Sequence, residues 1–230
     1  MKKLVIVPTF NEIENMKSLL PVLMKLEESF DVLVVDDSSP DKTADFITEF
    51  SKSNSRVNLL LRGQKSGLGK AYIAGFKWGL ERKYDALVEM DADFSHRPED
   101  LVKILGELER EDVVIGSRYV PGGQTVNWGL IRKLISRGGG IYSRMILGYP
   151  VQDWTGGFNG WRAQVLKDIG LDSIQSNGYS FQIELKYKAQ KSGYCVREVP
   201  IVFEDRRVGQ SKMSLKIVLE AFYKVWLIRF

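Results

Sequence analysis

Short apolar runs rich in valine, leucine and isoleucine alternate with longer amphipathic stretches through the first half of the chain. The runs at residues 4–7, 32–36, 57–61, 86–90 and 113–116 predict buried strands. Between them, residues 12–28, 41–51, 68–82 and 98–109 carry the spacing of helices. Strands and helices in strict alternation predict an α/β fold, a Rossmann-like and mostly parallel sheet flanked by helices. After Arg118 the alternation fails. A glycine-rich segment at 121–123 leads to a predicted helix at 130–147 and a glycine-rich turn at 154–157; a helix at 179–191, an extended run at 194–203, a polar loop and a terminal amphipathic helix at 213–230 follow. The second half reads as a cap completing a site built by the first.

Composition narrows this picture modestly. With 230 residues, 44% hydrophobic and 27% charged, the chain supports one substantial core, so we expect a single domain spanning 1–230. Cys195 is the only cysteine and cannot form an intrachain disulfide. The first residues run straight into a strand rather than a signal-peptide core, which points to a cytoplasmic site of action. A formal net charge of +4 suits anionic substrates or an anionic lipid surface, and equally a solvated enzyme with neither. No apolar run approaches the roughly 20 residues of a membrane-spanning helix. The final stretch is nonetheless greasy, with Phe222, Val225, Trp226, Leu227 and Phe230 interrupted by Lys224 and Arg229. It suits a helix lying in a membrane interface; a core helix or dimer contact is the alternative.

Open α/β sheets bind ligands beyond the carboxyl ends of their strands, and here those positions are acidic. Asp91-Ala92-Asp93 follows the fourth run. Alternate residues of an extended segment point to one side, so two hard oxygen donors meet a divalent cation and the diphosphate it neutralises. Asp36-Asp37 ends the second run; Ser39 or Asp41 suits helix capping, leaving Asp37 to hydrogen-bond a base or ribose. Phe10, within Pro8-Thr9-Phe10-Asn11-Glu12 after the first run, suits packing against a base. No Gly-x-Gly-x-x-Gly follows that run, which argues against a dinucleotide dehydrogenase, and the segment at 63–70 lacks the P-loop ending. Gly67 and Gly69 open a helix whose N-terminus suits a phosphate or simple capping. His96, the lone histidine, is read as positioning its loop rather than ligating a metal.

These segments together resemble family 2 glycosyltransferases of the GT-A fold: residues 7–12, 34–41, 67–71, 91–96 and 116–119. Further on, residues 132–138, 153–158, 178–182 and 205–212 are similar to the dolichol-phosphate (polyprenol-phosphate) mannosyltransferase branch. The resemblance implies that 1–118 forms the nucleotide-sugar half and 119–230 the acceptor half. It implies that Pro8, Phe10, Glu12 and Asp37, with Asp91, Ala92 and Asp93, hold the donor. Phe10 stands where a tyrosine is frequent. Asp91, Asp93 and Ser95 are the metal candidates, for Mg2+ or Mn2+, although some relatives place glutamine at Ser95. Arg118, Arg132, Arg206 and Lys212 are the acceptor-phosphate cations, and Asp91, Asp93, Arg118, Arg206 and Lys212 the catalytic set.

The activity implied is inverting transfer of mannose from GDP-mannose to the phosphate of dolichyl or polyprenyl phosphate, giving polyprenyl phosphate mannose. The setting implied is peripheral, on the cytoplasmic face of a membrane, with room for a membrane partner subunit and none for nucleic acid. A phosphate acceptor is physically economical: its second pKa near 6 makes it an ionised nucleophile at neutral pH, so no protein base is needed. The rival readings are a polyprenyl-phosphate glucosyltransferase using a UDP-sugar, and a non-catalytic nucleotide-binding membrane adaptor. The polar stretch 204–212, with Gly209 as hinge, is expected to be a mobile loop that orders around the two phosphates.

Overall fold

The computed structural model describes residues 1–205 and 215–230. The first half follows the predicted alternation: β1 (Lys3–Thr9), α1 (Ile13–Met24), β2 (Asp31–Asp36), α2 (Thr43–Ser53), β3 (Val57–Leu61), α3 (Leu68–Glu81), β4 (Ala86–Glu89), α4 (Pro98–Glu107) and β5 (Val113–Ser117). The second half adds β6 (Gln124–Val126), α5 (Leu130–Leu147), β7 (Asn159–Arg162), α6 (Ala163–Asp168), α7 (Gly178–Lys191), β8 (Val196–Pro200), β9 (Val202–Glu204) and α8 (Leu215–Arg229).

The main sheet runs β3-β2-β1-β4-β7-β5-β8. All neighbours pair in parallel except β7, which is antiparallel to both β4 and β5. The second half is therefore more than a cap, because β7 and β8 are built into the sheet of the first. The extended run predicted at 194–203 splits in two at Ile201: β8 extends the main sheet, whereas β9 pairs with β6 in a small second sheet. Helix α1 stops at Met24 rather than 28, its end closed by the Lys25 amide on the Val22 carbonyl.

Both faces of the sheet are covered, which explains why the central strands read as continuous apolar runs. Leu4, Ile6, Leu33 and Val35 face Ala71, Tyr72 and Phe76 of α3 and Phe181 and Leu185 of α7. Val5, Val7, Val32 and Val34 face Met16, Leu19 and Leu20 of α1 and Leu101 and Ile104 of α4. This sandwich leaves the carboxyl ends of β1, β2 and β4 along one edge, where their polar followers collect.

Candidate active site

At the β1 and β2 ends, the two neighbouring aspartates have separate duties. Asp36 is committed to the fold, accepting hydrogen bonds from the Thr9 hydroxyl at 2.9 Å and the Ser39 amide at 2.9 Å. Asp37 is buried, with its Oδ1 3.2 Å from Nη1 of Arg62. Neither atom finds a well-aligned hydrogen bond, so this pair has polar capacity to spend on a ligand. Of the two capping candidates it is Asp41 that works, across segments: it accepts from the Ile13 amide opening α1 and the Thr43 amide opening α2. Ser39 instead receives the Asn11 amide. Pro8 lies in β1 beside Val35. The Phe10 ring after β1 carries the Lys65 ammonium 3.9 Å from its centroid, and Glu12 precedes α1, bonded to Asn15 Nδ2 at 2.6 Å.

Beyond β4, Asp91 and Asp93 flank the buried Ala92. Asp91 Oδ1 accepts from the Tyr72 hydroxyl at 3.2 Å, and its side chain is the more open of the pair, 35% exposed against 8% for Asp93. Asp93 Oδ1 accepts from the Ser95 amide at 3.1 Å and from the Ser95 hydroxyl. Ser95 therefore points its hydroxyl at the carboxylate, which makes it an orienting donor for Asp93. His96 accepts the Asp91 amide on Nδ1 at 2.9 Å and stacks on Phe158 with centroids 4.4 Å apart. Burial holds its pKa below the ordinary 6.5 against the pull of Asp91 and Asp93. A neutral imidazole with Nδ1 already occupied positions its loop. Among the described residues, no group of three or more His, Cys, Asp or Glu gathers as a metal cage. Two carboxylates suit a hard cation that takes its other oxygens from phosphates and water.

The cations predicted for the acceptor are built differently from one another. Arg118 is buried and clamped by Asp153, its Nε at 2.7 Å and Nη2 at 2.6 Å, while its amide also donates to Asp153 at 3.0 Å. Nη2 further reaches the Thr155 hydroxyl at 3.0 Å. Burial works against the Arg118 charge, but the Asp153 carboxylate more than offsets it and leaves the pKa raised. The sequence reading expected a phosphate-seeking cation; the structure shows one edge of its fork spent on a protein carboxylate. Arg132, on the first turn of α5, pairs with Asp205 at 2.8 Å and lies 3.9 Å from the Trp128 ring centroid. Arg206 and Lys212 lie outside the described residues; of the loop expected to be mobile at 204–212, only Glu204, which ends β9, and Asp205 are described. Glu204 is held beside the acidic pair by its amide on the Ser95 carbonyl at 3.3 Å.

A line of contacts joins the acidic and basic groups. Phe203 meets His96 edge-on at 5.5 Å and lies 5.4 Å from the Arg118 guanidinium; Arg118 lies 5.3 Å from the Trp128 ring, and Arg132 covers that ring. Trp128 Nε1 and Arg132 Nε are both buried donors without an acceptor among the described residues.

Several of these residues escape sequence reasoning: Trp128, Arg62, Tyr72, Glu89, Asp153 and Lys186. Glu89 is fully buried in β4 and accepts from Asn159, Trp161 and Gln182 at 2.9–3.1 Å. A charge inside an otherwise apolar run was the one available signal.

A helix-flanked, mostly parallel sheet with acidic strand ends defines the GT-A glycosyltransferase architecture, and solved structures share it. Glucosyl-3-phosphoglycerate synthase from Mycobacterium tuberculosis, crystallised with Mn2+, UDP and glucosyl-3-phosphoglycerate, superposes with a TM-score of 0.66 at 17% identity, covering 99% of this chain and 78% of that one. TarS from S. aureus, in complex with UDP-GlcNAc, gives 0.64 at 19% identity over 99% of this chain and 66% of its own. At such identities the likeness speaks for the fold alone. Residues 4–170 match the model of glycosyl transferase family 2, and the chain belongs to that family. Among its relatives, the undecaprenyl-phosphate mannosyltransferase of Micrococcus luteus is 49% identical over 225 residues, covering 98% of this chain and 93% of the relative. The polyprenol monophosphomannose synthase of Mycolicibacterium smegmatis is 45% identical over 232 residues, covering 99% and 88%.

Proposed function

We propose that this chain transfers mannose from GDP-mannose to the phosphate of a polyprenyl phosphate, with inversion at the anomeric carbon. Two relatives, one named an undecaprenyl-phosphate mannosyltransferase and one a polyprenol monophosphomannose synthase, similar over nearly their whole length, support the sugar and the acceptor of this reading. The observation that carries it is the line from Asp91 through His96, Phe203 and Arg118 to Trp128 and Arg132, ending on two buried N–H donors with no acceptor among the described residues. An acidic pair at one end suits a cation-bound diphosphate; cations and orphan donors at the other suit a second phosphate.

In this reading Asp37 and Arg62 face the base, Phe10 packs on it, and Pro8 and Glu12 shape that end of the site. Asp91 and Asp93 would hold Mg2+ or Mn2+, with Tyr72 and Ser95 fixing the carboxylates. The cation, when bound, neutralises charge on the leaving diphosphate. Arg132 and Trp128 receive the acceptor phosphate, and Arg118, braced by Asp153, presents the remaining edge of its fork to it. One oxygen of that phosphate attacks the anomeric carbon as the bond to the nucleotide diphosphate breaks. The acceptor arrives ionised, so no side chain has to remove a proton.

The lipid acceptor calls for a membrane-facing side, and α5 with α8 supplies one. Among the described residues no helix is long and apolar enough to cross a membrane. The two helices are joined by the Trp226 indole donating to the Tyr142 hydroxyl at 2.7 Å and by Arg229 on the Leu147 carbonyl at 3.1 Å. Val225 packs into the core, while Leu130, Ile131, Leu134 and Met145 of α5, Trp226 of α8 and Phe230 just beyond it face outward. In this reading such a surface rests in the headgroup region of a bilayer with its basic residues beside anionic lipid, and the enzyme works peripherally on the cytoplasmic leaflet, with or without a membrane partner.

A panel of radiolabelled GDP-mannose, UDP-glucose and UDP-GlcNAc with a short polyprenyl phosphate tests the reading. Label should pass to lipid from GDP-mannose in a metal-dependent way. Transfer from a UDP-sugar alone would make the chain a glucosyl or related transferase, and binding without transfer would make it an adaptor.

A further inference from the structure

Beneath the turn that carries Asp153, Thr155 and Gly157 lies a fully buried lysine, Lys186 of α7. Its ammonium donates to the Asp153 carbonyl at 2.9 Å, the Trp154 carbonyl at 3.2 Å and the Gly156 carbonyl at 2.8 Å. An ammonium has three N–H donors, and three carbonyls take them, so Lys186 has none to offer a phosphate. Burying a cation is costly unless its surroundings repay it. Here three carbonyls take its hydrogen bonds and the buried Asp153 and Glu89 carboxylates favour its charge, while burial outweighs them and leaves its pKa lowered to about 8. One helical turn earlier on the same helix, Gln182 donates to Glu89 Oε1 at 2.9 Å and accepts from Asn159 at 2.7 Å.

We propose that Lys186 is a positioning residue of the transferase: by gathering three carbonyls of one turn onto one ammonium it fixes the 153–157 turn, and through Asp153 and Thr155 it sets where the Arg118 guanidinium stands. The proposal rests on the reading of Arg118 as part of the acceptor side. The geometry separates this role from general packing. Asp153 holds the Arg118 amide, Nε and Nη2 together, Thr155 holds Nη2 as well, and both belong to the segment whose carbonyls Lys186 ties down. Phe181, the residue before Gln182, stacks on Tyr72 with rings 6.2 Å apart, and Tyr72 reaches Asp91; the donor side thus has supports of its own. Loss of the ammonium should be felt on the acceptor side first.

The experiment compares purified Lys186→Met, Lys186→Gln and Thr155→Val with the wild type, measuring steady-state kinetics against a short polyprenyl phosphate and GDP affinity by titration. Lys186→Met keeps the unbranched stem and removes the donors, so kcat/KM for the acceptor should fall about 10–100-fold, as for a reacting group misplaced by about 1 Å, with GDP affinity unchanged. Lys186→Gln restores two N–H donors and should recover part of the loss. Lys186→Met that folds and keeps wild-type acceptor kinetics overturns the proposal, as does a loss of GDP affinity equal to the loss of turnover. Should Lys186→Met not fold, Thr155→Val decides: a drop confined to the acceptor supports the turn's role, and unchanged kinetics refutes it. Wild-type protein inactive on polyprenyl phosphate would instead sink the underlying functional reading.

Discussion

Replacing Asp153 by asparagine should destabilise this protein severely, because the substitution changes charge with almost no change in shape. Four N–H groups converge on that carboxylate: the Arg118 amide, Nε and Nη2, and the Gly156 amide at 2.9 Å. An asparagine keeps one acceptor oxygen and turns an NH2 group towards donors that have nowhere else to go. Removing one partner of a buried ion pair costs about 3–5 kcal/mol. In a domain of this size 1 kcal/mol moves Tm by about 2–4 °C, so Asp153→Asn should melt about 6–20 °C lower. Urea unfolding followed by tryptophan fluorescence should show a lower midpoint with an unchanged slope. Arg118→Met alone should cost a similar amount, and the double variant less than the sum, since each single change strands the other member of the pair and the double change leaves neither stranded. The pH dependence has a fixed sign. Although burial alone would raise it, the Arg118 guanidinium holds the Asp153 carboxyl below the ordinary 3.8. Its contribution is therefore complete above the unfolded value and is lost as pH falls through the folded one. Wild type should shed this component below about pH 4, and Asp153→Asn should lack it. A variant within about 1 kcal/mol of wild type would mean that the pair is not buried as described.

Trp128→Phe removes one of the two orphan donors while keeping the ring under Arg132; KM for polyprenyl phosphate should rise about 10-fold, the worth of one hydrogen bond to a charged group, with no change in donor KM. Asp93→Ala should abolish metal-stimulated turnover while GDP binding partly persists, measured by product formation and calorimetry on the same preparation; full activity would remove Asp93 from the metal site. Trp226→Glu with Phe230→Glu, and separately Leu134→Glu, should each weaken sedimentation with liposomes containing anionic lipid, and unchanged binding would place the membrane elsewhere.

The parts of the molecule legible in the sequence are those whose cause is local. Strands buried on both faces read as apolar runs, and the polar residues just after them lie at the sheet's open edge by construction, so the placement of Asp37, Asp91 and Asp93 beyond the strand ends is legible from position alone. Strand β7 was not visible, because Asn-Gly-Trp-Arg at 159–162 is short, contains glycine and shows no alternation; it is a strand because β4 and β5 leave a slot for it. The 154–157 turn was legible as glycine-rich, and its purpose was not. Glu89 meets Asn159, Trp161 and Gln182 across separations of 70, 72 and 93 residues, and no periodicity carries such pairings. Arg118 shows the same limit from the other side: its family-like setting marked it as functional, but only the fold shows that Asp153 stands between it and a simple role as a free cation.

That arrangement bears on why the chemistry suits an acceptor already ionised. A transferase acting on a hydroxyl needs a carboxylate open to the acceptor and basic enough to take its proton. Here Asp153 is sealed against Arg118, its pKa pulled down rather than up. Glu89, whose pKa burial raises, is enclosed by three side-chain donors and carries no exposed surface. Asp205 sits against Arg132. The carboxylates near the proposed acceptor end are thus each set against a cation or enclosed by donors, which suits holding those groups in place more than proton abstraction. What that end offers a substrate is positive charge and unmet N–H donors, and a phosphate monoester uses both without asking the protein for a base.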